Sequence, residues 1–252
     1  MPRSARILPE QSIFHIMARG NNRQEIFKDK EDFEAYIYLL KLYKEQHLFN
    51  LYHYCLMNNH LHLILETTPS TNLPKLMKQI SLSYVHYFRR RYRYYGHFWQ
   101  GRYKSLLIEK DIYLLTCGKY IEMNPVRAKM VTSPEEHPWS SYRTYIGQTQ
   151  DRLVTLDPLF ETLGKTEKER QENYQGILIE ELDLNKRYLG TKTFIKAMEE
   201  KFGIANQRGK IGRPGKGKEK RPLLGVPFWG RQGRKKRLTN KGFLVYFRYT
   251  II

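Results

Sequence analysis

Residues 1–150 predict an α+β, ferredoxin-like domain: an antiparallel sheet built in the order β-α-β-β-α-β, followed by one further helix. Three observations carry this. Short runs rich in β-branched and aromatic residues alternate with two longer runs of helical period. The second and third short runs are separated only by Asn58 and Asn59, and the fourth leads into a helical run that stops at Pro125.

Each element follows from its residues. Ser12–Gly20 (SIFHIMARG) is the first strand, closed by a Gly-Asn-Asn turn signal. Over Asp29–His47, Phe33, Tyr36, Ile37, Leu40 and Tyr43 recur at helical spacing behind Asp29, a candidate N-cap. Phe49–Met57 is the second strand and His60–Thr67 the third, joined by the two asparagines. Leu73–Arg93 is helical, with Leu76, Ile80, Val85 and Phe88 on its apolar side. Tyr103–Lys110 is the fourth strand and Asp111–Asn124 the last helix. A sheet of this kind has helices on one face, and the other face is expected to be free for a site.

The composition changes after Gly147. Residues 151–204 carry mixed charge at helical period and predict a small helical extension. Residues 205–252 hold 14 Lys or Arg and one acid, Glu219, among many glycines. This predicts a flexible basic tail able to hold a phosphate backbone without reading sequence. The closing run FLVYFRYTII is too short to span a membrane and is compatible with a packing strand.

The charge narrows the classes of partner. Forty-four Lys and Arg oppose 25 Asp and Glu, a formal charge of +19, and such a field favours a polyanion. Cys55 and Cys117 are too few for a disulfide framework or a thiolate zinc site and suit a reducing compartment. With no apolar run long enough for a signal peptide or a membrane span, a cytoplasmic, nucleoid-associated protein is expected.

Two patterns hold candidate chemistry. His60 and His62 flank Leu61 in a strand, so both imidazoles stand on one face. Alone, such a pair is more often a partly exposed pair on a sheet than half of a metal site. Tyr120 and Asn124 lie four apart on the last helix and share a face, which alone reads as a core tyrosine and a capping asparagine. Between them, Tyr87–Lys104 (YFRRRYRYYGHFWQGRYK) holds six Lys or Arg, eight aromatics and no acid, a mixture suited to single-stranded nucleic acid. The competing reading puts Phe88, Phe98 and Trp99 in the core and leaves only the arginines exposed.

Taken together, the blocks FHIMARGNNRQEIF, YCLMNNHLHLIL, HFWQGRYKS, YLLTCGKYIEMNPVRA and WSSYR resemble the REP-associated tyrosine transposases, single-tyrosine members of the HUH group. The resemblance runs from about Ser12 to Tyr145. It implies a ferredoxin-like fold, His60 and His62 as metal ligands, Asn124 as the third ligand and Tyr120 as the nucleophile. Related HUH transposases carry a glutamine where this chain has Asn124. Glu122 projects elsewhere on the helix and receives no ligand role.

The chemistry gives each part a reason. A phenol of pKa near 10 is a poor nucleophile at neutral pH, and a phosphodiester repels incoming negative charge. A divalent ion, Mg²⁺ or Mn²⁺, held by two imidazoles and an amide oxygen would neutralise a non-bridging oxygen. Attack by Tyr120 would leave a 5′-phosphotyrosine and a free 3′-hydroxyl, so nicking and strand transfer become one reaction run in two directions. His15 and Lys119 are the nearest candidates for easing deprotonation, although structural roles suit both better.

The implied substrate is single-stranded DNA, hairpin-forming at repetitive extragenic palindromes. Arg102 and Lys104 are the first candidates for phosphate contacts, with Arg19 and Asn21 after the first strand and Arg127 after the nucleophile helix. The chain is expected to act as a monomer or as a helix-swapped dimer, with Gly118 supplying a hinge in the second case. The other class of function is a non-catalytic module binding single-stranded DNA or RNA on an RNA-recognition-like sheet. The basic-Gly-aromatic-Gly-aromatic motif of such sheets is absent, and this class gives no reason for His60, His62 and Tyr120 to coincide.

Overall fold

The computed structural model of the chain describes residues 7–110, 112–178, 182–183 and 185–207. The elements run β1 (Ile13–Arg19), α1 (Lys30–His47), β2 (Asn50–Met57), β3 (His60–Glu66), α2 (Leu73–Tyr92), β4 (Lys104–Ile108) and α3 (Ile112–Glu122). The short helices α4 (Asn124–Arg127) and α5 (Tyr142–Tyr145) follow, then α6 (Glu167–Gly176), β5 (Tyr188–Leu189) and α7 (Lys192–Phe202). The sheet order is β2-β3-β1-β4-β5. Its first four strands are antiparallel neighbours, as the ferredoxin-like order requires, and β5 joins β4 in parallel.

Local chemistry sets the element ends. The Asp29 carboxylate accepts from the Asp32 amide and caps α1, as its position predicts. Asn72 caps α2 in the same way. The Asn58–Asn59 turn joins β2 to β3, and the Asn58 carbonyl also accepts from the amides of Ile26 and Phe27, tying the loop after β1 to it.

Strand alternation splits the core in two. Phe14, Ile16, Leu61, Leu63 and Leu65 face one way and pack with Phe33, Tyr36 and Leu40 of α1 and Leu76, Ile80, Tyr84 and Phe88 of α2. Ile13, Ile64, Leu106 and Ile108 face the other way and pack with Leu114, Cys117 and Ile121 of α3.

The face that α1 and α2 leave open is the one on which α3 packs, against β2. The structure corrects two expectations. The last helix does not run unbroken to Asn124: α3 ends at Glu122, and Asn124 opens α4, where Pro125 at the next position has no amide to donate. The segment after residue 150 is helical in α6 and α7 but also supplies β5, a two-residue strand with no alternating run to announce it. The basic tail from residue 208, FLVYFRYTII included, lies outside the described residues.

Candidate active site

Directly opposed residues on neighbouring strands share a face, so the register assembles the site. His60 stands opposite Arg19 of β1 and Met57 of β2; His62 stands opposite Met17 and Cys55. Met17 in turn opposes Lys104 of β4, which puts Lys104 in the same row as His62. The two imidazoles are edge to face, with centroids 5.0 Å apart. His62 is buried and His60 half-buried.

Burial and charge both keep these rings neutral. Burial, with the Arg19 guanidinium, pushes His60 down to about 4. Burial, with His15, His60 and the Arg19 guanidinium nearby opposing a further positive charge, holds His62 well below the usual histidine range. A neutral imidazole keeps one nitrogen lone pair, the form a metal ion needs. His60 Nδ1–H donates to Asn59 Oδ1 at 2.6 Å, which leaves Nε2 as its lone-pair nitrogen. His62 Nδ1 is engaged with His15 Nε2 at 2.8 Å.

Tyr120 is half-buried and packs against the apolar cluster of this same face, which contains Ile64 of β3. The Arg127 guanidinium lies over its ring, 3.9 Å from the centroid, and Nη1 donates to the Tyr120 carbonyl at 3.5 Å. A cation thus stands beside the phenol on an exposed side chain. Asn124 Nδ2 is buried without a hydrogen-bond partner. The carboxamide oxygen of Asn124 and two neutral imidazoles would suit a divalent ion whose remaining ligands are substrate oxygens and water. Among the described residues no cluster of three or more His, Cys, Asp or Glu could hold a metal. The fit therefore rests on the amide of Asn124 completing the pair.

The DNA-contact candidates fall on two sides. Arg19 and Lys104 border the histidines, and Asn21 is exposed just beyond them, its amide bonded to the Phe98 carbonyl at 2.8 Å. Arg102 is elsewhere. With Trp99 and Gly101 it lines two adjoining grooves, of about 380 and 270 Å³, whose other walls include Arg89, His97, Lys78, Ser81 and Tyr103. Within the basic aromatic run, both readings hold for different residues. Phe88 and Phe98 are buried, and Tyr87, Tyr92 and Arg91 are tied to Asp29 or Asp32, whereas Arg89, Arg90, Arg93 and Tyr95 are exposed.

Behind Tyr120 lies a charged network that local sequence does not announce. His53 of β2, Glu122 of α3 and Asp157 are fully buried. His53 Nδ1 meets Glu122 Oε1 at 3.0 Å, and its Nε2 lies 3.8 Å from Asp157 Oδ2. Ser141 and Tyr174 donate their hydroxyls to the two oxygens of Glu122. The His53 ring stacks on Tyr145, with centroids 4.4 Å apart, and Tyr145 stacks on Tyr174 at 4.7 Å. Glu122 thus has a structural duty. Lys119 is also buried here, its ammonium over the rings of Tyr142 and Tyr174.

Gly118 belongs to the same contact. A Cβ there would overlap three atoms of the His53 ring, so glycine lets α3 approach β2 closely, a packing reason for the residue in place of a hinge. Gly118→Ala is expected to lose about 1–3 kcal/mol to overpacking, more than the roughly 1 kcal/mol it gains in helix propensity. Chemical denaturation measures this; an unchanged midpoint would show that α3 can shift outward freely.

Comparison with known proteins bears on the fold and on residues 10–124. No protein of curated function matches the chain. A solved REP-associated tyrosine transposase, in complex with a REP hairpin, shares the fold at TM-score 0.52 and 14% identity, over 62% of this chain and 98% of its own. A candidate transposase from Deinococcus radiodurans R1 aligns at TM-score 0.35 and 18% identity, over 48% of this chain and 96% of its own. The family described as "Transposase IS200 like" matches residues 10–124, which hold both site histidines, Tyr120 and Asn124. Over these residues the chain is similar to the IS200-like transposase family.

Proposed function

We propose that the chain nicks and rejoins single-stranded DNA through a 5′-phosphotyrosine on Tyr120, with a divalent ion held by His60, His62 and Asn124. The observation that carries this is the pair of neutral imidazoles on the sheet face against which Tyr120 packs, inside the residues that match the transposase family. Mg²⁺ or Mn²⁺ would supply charge neutralisation at a non-bridging phosphate oxygen.

The chain's own residues do the rest. Tyr120 Oη forms a bond to phosphorus as the P–O3′ bond breaks; the phenol loses its proton and the departing 3′ oxygen gains one. Ester replaces ester, so a second 3′-hydroxyl can run the exchange backward without ATP. Arg127, over the Tyr120 ring, would hold a phosphate oxygen, and Arg19 and Lys104 would track the strand beside the histidines. The grooves around Trp99 and Arg102 offer an aromatic and a cation together, the pairing that holds single-stranded bases. A hairpin-bearing substrate is the reading that the hairpin-bound structural neighbour supports.

The test is to incubate the full chain with hairpin-bearing and unstructured single-stranded DNA, with Mn²⁺, Mg²⁺ or a chelator, and to resolve the products by denaturing electrophoresis. A DNA band that migrates with protein, formed with the ion and lost with the chelator, is the expected result. Binding without any adduct under every ion would instead favour the non-catalytic module.

A further inference from the structure

We infer that His15 is a positioning residue for the metal site: its Nε2 accepts a hydrogen bond from His62 Nδ1–H, and this bond holds the His62 lone pair on Nε2, the nitrogen that would ligate an ion. The inference rests on the proposed function, in which His62 is a ligand, and adds to it a residue outside the ligand set.

The geometry is that of a directed hydrogen bond. The two nitrogens are 2.8 Å apart, the ring centroids 5.0 Å, and the planes 24° from parallel. The centroid distance exceeds the nitrogen distance by about two ring radii, so the rings meet edge to edge and nearly coplanar, with a proton on the line between them. Both residues are buried, His15 fully, and lie on one sheet face, since Met17, two residues from His15, opposes His62.

Only one direction of that bond permits ligation. If His15 were the donor, Nδ1 of neutral His62 would accept and its Nε2 would carry the proton, leaving no lone pair for an ion. If His62 donates, Nε2 is free to ligate, and the acceptor behind it raises the basicity of the ring. His60 has the same arrangement from another source, because its Nδ1–H can only donate to the carbonyl oxygen of Asn59. Each candidate ligand thus has its outer nitrogen held by a different residue, Asn59 from the turn and His15 from β1. His15 is fully buried between Ile64 and Leu106 of the neighbouring strands, a place where an apolar side chain would cost less unless the imidazole has a polar task.

The experiment compares the full-length wild type, His15→Gln, His15→Leu and His62→Ala by Mn²⁺ titration, followed by electron paramagnetic resonance. Circular dichroism checks the fold of each. Glutamine keeps an oxygen acceptor and is expected to bind Mn²⁺ within about threefold of wild type. Leucine removes the acceptor and is expected to weaken binding about 10- to 100-fold, the usual cost of losing an outer partner. A folded His15→Leu protein that binds as wild type does, or a His15→Gln protein as weak as the leucine variant, overturns the inference. Wild-type binding that His62→Ala leaves intact would instead overturn the metal site itself. A second measurement needs no variant: ring ¹⁵N NMR of the metal-free wild type should show His62 protonated at Nδ1 and bare at Nε2, and the opposite tautomer overturns the inference.

Discussion

Tyr120→Phe should lose the covalent protein–DNA adduct completely, a fall of at least about 10³-fold in cleavage, while single-stranded DNA binding stays within about twofold of wild type. The substitution removes one oxygen and leaves the ring, which packs against the apolar cluster of this face and carries the Arg127 guanidinium on its own face. Neither the face of the sheet nor the grooves around Trp99 depend on that oxygen. The measurement pairs a denaturing gel for adduct with fluorescence anisotropy for binding, on one preparation, so that lost chemistry is separated from a lost fold. An adduct of undiminished yield would transfer the nucleophile to another residue. Equal loss of adduct and binding would make the tyrosine a DNA-contact residue.

That the resemblance singled out Tyr120, while Glu122 two residues later drew no role from the sequence, has a physical explanation. The sheet and its two packed helices follow from local rules: period-two runs in β1 to β4, the Asp29 cap, and the two asparagines between β2 and β3. His60 and His62 follow too, because spacing along a strand sets which residues share a face. Contacts made late in the sequence leave no local trace. His53 sits in an ordinary strand, YHYCLM, and its partners Glu122 and Asp157 come 69 and 104 residues afterward. Tyr174 lies on α6, an otherwise charged helix whose pattern gives no hint of a buried face. One signal was present: Gly118 in the middle of an otherwise good helix costs about 1 kcal/mol against alanine, and such a glycine marks a close neighbour. That neighbour is the His53 ring. The WSSYR block has a similar reason, since Trp139–Ser141 hydrogen-bonds along the outer edge of β2 and delivers Ser141 to Glu122. The cover over the second face, the fifth strand and the network all come from one cause: residues after 110 fold back onto strands laid down much earlier.

The network predicts an unusual dependence of stability on pH. Burial alone would push His53 down, but the carboxylates of Asp157 and Glu122 outweigh it and raise the imidazole to about 9. In the unfolded chain the same ring titrates near 6.5. Below that value both states hold the proton and the stabilisation is fully present. Between about 6.5 and 9 only the folded state holds it, so raising the pH must weaken the fold, by up to about 1.4 kcal/mol per unit. Urea unfolding at steps from pH 6.5 to 9.5 should show this decline, and His53→Gln should remove it while lowering stability throughout. Glu122→Ala is the harsher change. It leaves the imidazolium with Asp157 alone, 3.8 Å away, takes the acceptor from the Tyr174 hydroxyl and leaves the Ser141 hydroxyl only the Tyr54 carbonyl. Breaking a buried ion pair from one side costs about 3–5 kcal/mol, enough to consume much of a domain's stability. Because Glu122 lies on the helix that carries Tyr120, adduct formation should fall with it even where the protein remains folded. A Glu122→Ala protein as stable as wild type, with a pH profile that still declines toward 9, would mean that Asp157 alone holds the charge and that α3 is anchored by its apolar contacts.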